Sequence, residues 1–206
     1  MPPGIPAILY VRIGDRVNAK VRYDNVAISL HWLTVLLIIT MYGLGWYMVD
    51  IPRGTPERSF YFALHKSFGL TTAMVIVLRL VWRLVHRPPP LPDTLRRWQR
   101  MTATAVHHLL YLFLILQPLS GYVSSSFSGY KTRWWGVPLP DWGWKNQVLN
   151  EAFTEIHVVC SVVLLILIVL HVCGALAHLY MRHDNVLGRM VPWLAAAATD
   201  ADSKRG

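Results

Sequence analysis

The sequence predicts an all-α membrane protein, a bundle of four transmembrane helices with both termini cytoplasmic. Three observations carry that expectation. The chain of 206 residues is 54% hydrophobic and only 15% charged, with a mean hydropathy of +0.36, a membrane composition and not that of a soluble domain. Four apolar stretches approach or exceed the roughly 20 residues that a membrane-crossing helix needs. Nine Trp and nine Tyr suit aromatic belts at the two interfaces. The net charge of +9 does not argue for nucleic acid, because the basic residues sit beside apolar spans, where they act as topology signals and headgroup contacts.

The first span runs from about Val26 to Val49, with Asp24 or Asn25 as a candidate N-cap. The N-terminal segment before it has no signal-peptide core ahead of a small-residue cleavage site, so the first span is expected to be retained. A short polar link with Pro52, Gly54 and Pro56 leads to the second span, about Leu64 to Leu84, which ends in a basic run. A basic, Pro-rich linker (His86 to Thr102) precedes the third span, about Ala103 to Val123, which contains Pro118. A proline inside a membrane helix is tolerable where neighbours satisfy the freed carbonyl. The linker Ser124 to Glu155 is rich in Trp, Gly and Pro and is expected to fold over the bilayer surface. The fourth span is Ile156 to Leu179. These spans make one domain of residues 26–181, with segments 1–25 and 182–206 on the cytoplasmic side. The orientation follows from the twenty Lys and Arg residues: fourteen flank the termini and second linker, and six lie on the other side.

Histidines inside the spans are the candidate functional residues, since an ionisable group in hydrocarbon is costly. His157 and His171 are 14 residues apart on the fourth span, about 21 Å along its axis and ~40° apart around it. By depth, His65 pairs with His157 near the outer face and His31 with His171 near the inner face. Each pair comes from two helices, as gripping a planar ligand from both faces requires. Haem iron is the natural guest, because imidazole suits it and helix-bundle interiors host such cofactors. Arg79, still inside apolar sequence, calls for an anion such as a haem propionate, while Arg83 can snorkel to headgroups. His107 and His108 read as interfacial, and His86 and His183 as solvated. His178, near the inner surface on almost the same face as His171, is a candidate for a quinone or proton-delivery site together with Arg79. Cys160 and Cys173, 13 residues apart on one helix, cannot pair with each other and read as small buried packing residues. No C-x-x-C-H motif is present, which excludes covalent c-type haem, and no cysteine pattern suggests zinc or iron–sulfur.

SLHW in the first span, LHKSFG opening the second, and EIH followed by LHVCGALAH in the last resemble the bacterial cytochrome b561 family. RLVWR, the Pro-rich linker, HHLLYLFLILQPLSG and HDNVLGRMVPW extend the resemblance over roughly Tyr23 to Trp193. It implies a four-helix cytochrome of the bacterial inner membrane holding two b-type haems, ligated by His31, His65, His157 and His171. His178 matches a family histidine near the inner haem and His107 another on the third span, whereas His108 has no match. Bacterial members include superoxide oxidases, which pass electrons from periplasmic superoxide to ubiquinone and release oxygen. Arg53, Arg58 and Lys66 on the outer side suit attraction of a small anion. A different role is a cytochrome subunit relaying electrons between quinone and a partner dehydrogenase or hydrogenase, docked through the Trp-rich linker. A non-redox transporter or scaffold is the third reading.

Overall fold

Short polar side chains set where the helices begin. In a computed structural model, which describes residues 23–86, 88–89, 95–178 and 187–191, Asp24 caps α1 (Asn25–Asp50) by accepting the Ala27 N–H at 2.9 Å. Burial pushes the Asp24 carboxyl up, but the Ala27 amide and the Trp82 indole that donate to it hold it below its ordinary value. The cap therefore keeps its charge at the positive end of the helix dipole. Thr55 caps α2 (Pro56–Val85), which has proline in its first turn and Glu57 beside it. The Gln99 side chain accepts the Arg96 N–H at the start of α3 (Arg97–Phe127). Asn146 accepts the Leu149 N–H to open α4 (Gln147–Ala177).

The four helices have 26, 30, 31 and 31 residues, or about 39–47 Å, against a hydrocarbon core of about 30 Å. All four are long and apolar enough to cross a membrane. Three of them outrun the apolar spans read from the sequence. α2 begins at Pro56 and not near Leu64, α3 spans Arg97–Phe127, and α4 begins at Gln147 and not at Ile156. The physical reason is capping: Thr55 and Asn146 start helices in polar sequence, which hydropathy does not see. The linker expected over Ser124–Glu155 is therefore helical at both ends. Most of the flanking segments 1–25 and 182–206 lies outside the described residues, as does His183.

The helices pack as two antiparallel pairs. α1 lies against α2, α3 lies more extensively against α4, and the pairs meet mainly along α2 and α3. α1 and α4 approach each other far less closely, although the Tyr42 hydroxyl donates to the Ser161 carbonyl at 2.6 Å across that space. The core is an apolar layer at mid-height: Ile76, Leu114 and Leu164, with Ile38, Leu110, Phe113 and Ile168 against them. Outward-facing positions are apolar too, Leu36, Ile39 and Leu84 being 61%, 65% and 75% exposed. Such a surface is stable only against lipid. Cys160 is buried as expected, but Cys173 is exposed; on this helix its direction is set by the 3.6-residue turn and not by its polarity.

Between α3 and α4 a two-residue hairpin, β1 (Arg133–Trp134) and β2 (Val137–Pro138), folds against α2. Its turn residues Trp135 and Gly136 both have positive φ, 48° and 90°, as a two-residue turn of this twist requires. Trp135 holds that conformation because its indole donates to Thr71 Oγ1, its amide to Ser67 Oγ, and its ring meets Phe68 edge-on at 5.0 Å. The Trp134 indole donates to the same Thr71 oxygen. Thr71→Val leaves both indoles without that acceptor; a loss of about 1–3 kcal/mol is expected for the part-buried Trp134 indole and much less for the exposed Trp135 indole, which water can satisfy. Limited proteolysis of the 128–146 segment reads the effect: faster cleavage in Thr71→Val with helix content unchanged.

Candidate functional site

The packing brings the histidines together at two heights. His31 of α1 and His171 of α4 have ring centres 6.4 Å apart, at the end where α1 starts and α4 finishes. His65 of α2 and His157 of α4 have ring centres 6.3 Å apart towards the other end. Both separations suit one shared metal ion. With metal–nitrogen bonds of about 2.0–2.1 Å and ~1.1 Å from ring nitrogen to ring centre, two opposed imidazoles stand roughly 6.2–6.4 Å apart. Among the described residues, no three His, Cys, Asp or Glu side chains gather to hold a bare ion. Histidines that come only in pairs suit a metal whose other ligands would arrive with a macrocycle.

Polar groups around the His65–His157 pair support that fit. The His157 Nδ1–H donates to the Gln117 carbonyl at 2.8 Å, while its Nε2 faces the Gln117 side-chain nitrogen at 3.2 Å. An amide nitrogen only donates, so both contacts agree on one tautomer: proton on Nδ1, lone pair on Nε2. That is the form a metal-ligating histidine takes, with its second nitrogen hydrogen-bonded to a carbonyl. His65 Nδ1 and Gln117 Oε1 are buried with no hydrogen-bond partner among the described residues. Two such orphans beside one histidine pair mark a site awaiting a polar or metallic partner. Glycines make room: a Cβ at Gly45 would meet the His65 ring at 3.5 Å, and one at Gly121 would meet the His157 ring at 2.9 Å.

The His31–His171 pair has different company. Arg79 of α2 donates to His31 Nδ1 at 2.9 Å, and its guanidinium lies 5.5 Å from the centre of the Tyr111 ring. Arg83, one turn on, sits 5.3 Å over the same ring. The two cations open onto a cavity of about 410 Å³ lined also by Asp24, Trp82, His86 and Tyr111. His107, expected at the interface, stands instead beside His171 with ring centres 5.1 Å apart, and its Nδ1–H donates to the Ala103 carbonyl at 2.6 Å. Helical phase explains this: α3 turns His107 inward and leaves its neighbour His108 exposed. His86 is exposed and stacks on Trp82 at 3.8 Å. His178 caps α4 and does not line the cavity beside Arg79. At the opposite end, Arg58 is committed to the Val49 and Ile51 carbonyls, closing the C-terminus of α1. Lys66 is half-buried within electrostatic reach of Asp141, so Arg53 is the exposed cation of that trio.

Residues 22–193 match the family described as prokaryotic cytochrome b561. The chain belongs to that family. Cytochrome b561 homolog 2 of Escherichia coli K12 is 31% identical over 84% of this chain and 93% of its own length. Homolog 1 from the same organism is 26% identical, covering 83% and 97%. A protein of Yersinia pestis named probable superoxide oxidase CybB is also 26% identical, covering 83% and 96%. This cytochrome b561 is accordingly a multi-pass protein of the bacterial inner membrane and an oxidoreductase that carries electrons on haem b. Gln117, Ser120 and Tyr111 carry no mark in the sequence as partners of the histidines, whereas Gly121, like Gly43, Gly69 and Gly174, is a small residue within a span that lets a macrocycle or a neighbouring helix approach. The signal available was QPLSG, a polar run with a proline in the middle of an apolar span.

Proposed function

We propose that this cytochrome b561 holds two haems b, one between His65 and His157 and one between His31 and His171, and passes electrons from periplasmic superoxide to ubiquinone. The observation that carries the reading is the pair of ring separations, 6.3 and 6.4 Å, on helices from both halves of the bundle. Haem held by these two histidine pairs would supply a one-electron couple at each site. Both termini are taken as cytoplasmic, from the bias of Lys and Arg, which makes the His65–His157 site outer and the His31–His171 site inner. The unit that works is residues 26–181.

The chain's own residues have distinct tasks in this scheme. The Gln117 carbonyl holds the proton of His157 Nδ1, leaving Nε2 to bind metal. Arg79 supplies positive charge beside the inner site, suited to a haem carboxylate. The cavity beside Arg79 and Arg83 has the volume of a small-ligand site and suits a quinone headgroup, and His178 remains a candidate for proton delivery nearby. Arg53 is the exposed cation available to attract superoxide from the periplasm.

The test is to add superoxide to the purified protein with and without oxidised ubiquinone. Haem bands should reduce within seconds, reoxidise when quinone is present, and yield oxygen. Haem that stays oxidised until a dehydrogenase or hydrogenase partner is supplied favours the relay role, and an absence of b-type bands sinks the redox reading altogether.

A further inference from the structure

We infer that one turn of α3, Gln117 to Gly121, is a cradle that sets the ring of His157 on the outer iron, with Gly121 as the positioning residue. The inference rests on His157 being an axial ligand. Three features of this turn converge on one imidazole. The Gln117 carbonyl accepts the His157 Nδ1–H at 2.8 Å and also the Ser120 hydroxyl at 3.0 Å. The buried Ser120 oxygen itself lies 3.3 Å from His157 Nδ1. Gly121 abuts the ring: a Cβ there would come 2.9 Å from Cε1, closer than Cβ atoms in proteins come to other heavy atoms, and 3.0 Å from Nδ1. No such tightness exists at Gly45, where the added carbon would meet His65 at an ordinary 3.5 Å. The two histidines thus meet their glycines differently, His157 at a distance that admits no Cβ and His65 at ordinary contact.

The cradle has a chemical consequence as well as a steric one. A hydrogen bond from the non-ligating nitrogen to a carbonyl raises the basicity of the ligating one. It therefore favours oxidised iron and lowers the reduction potential of that haem. Any side chain at position 121 pushes the ring off the carbonyl and weakens this effect. Gly121→Ala should raise the outer haem's midpoint by about 59 mV, a tenfold change in a one-electron equilibrium. It should also alter that haem's low-temperature electron paramagnetic resonance signal. The inner haem in the same molecule is the internal reference and should not move.

The experiment is a redox titration of the purified holoprotein, followed optically and by resonance, for wild type, Gly121→Ala and Ser120→Ala. Removing the Ser120 hydroxyl takes away one of the donors that share the Gln117 carbonyl with His157, and the outer midpoint should fall, opposite in sign to Gly121→Ala. Selective loss of the outer haem in Gly121→Ala supports the cradle in its strongest form. An outer midpoint and signal unchanged in Gly121→Ala overturn it. Should that variant fail to assemble, Ser120→Ala decides: a fall in the outer midpoint alone supports the cradle, and no change rejects it. A His157→Ala protein that keeps both haems instead rejects the ligand assignment beneath it.

Discussion

His157→Ala is expected to purify with one haem per chain in place of two, the inner site keeping its spectrum and potential. The two histidine pairs are separated by 14 residues of α4, about 21 Å, and the apolar layer from Ile38 to Ile168 lies between them. No side chain of the His31–His171 pair contributes to the other site, so the loss stays local. Haem per chain by pyridine haemochrome, with total protein by amino-acid analysis, measures it. Loss of both haems, or of neither, contradicts the assignment of ligands by height.

Arg79→Gln is expected to make the inner haem harder to reduce. In the structure the guanidinium donates to His31 Nδ1, and a guanidinium never accepts, so in this arrangement the His31 proton sits on Nε2. Ligation through Nε2 requires Arg79 to release that nitrogen, and a haem carboxylate is the acceptor that would draw it away. Removing a positive charge at this range costs the reduced form about 1–2 kcal/mol at an effective dielectric near 20, roughly five- to thirtyfold in the reduction equilibrium. Arg79→Lys keeps the charge and should recover most of the potential while binding the carboxylate less well. A redox titration in which Arg79→Gln leaves the inner midpoint in place rejects a role for this charge.

Much of this architecture is legible in the chain because a bilayer imposes simple rules. Apolar length marks four spans, and a helical rise of 1.5 Å per residue turns histidine positions into heights. His31, His65, His157 and His171 could be paired from those heights alone, and the structure brings the same residues together in the same pairs. Helix ends were less legible. The caps Thr55 and Asn146 lie in polar sequence, and eight or nine residues beyond the apolar edge are still helical in α2 and α4. Direction around a helix was harder still. His107 turns inward and His108 outward, a difference of 100° that neighbours in sequence do not declare. The cradle under His157 depends on how closely α3 and α4 approach, which belongs to the pair of helices and to neither alone.

The layer formed by Ile38, Ile76, Leu110, Phe113, Leu114, Leu164 and Ile168 contains no group that can take up or release a proton. On the proposed reading, an electron handed from one histidine level to the other would cross this apolar layer. On that reading the protein would act as a wire through an insulator, each passage adding to or drawing on the charge stored across the membrane. At 100 mV a full crossing amounts to about 2.3 kcal/mol per electron, of which a step of about 21 Å through a core of about 30 Å takes roughly two thirds, enough for the energisation of the cell to bias the direction of transfer.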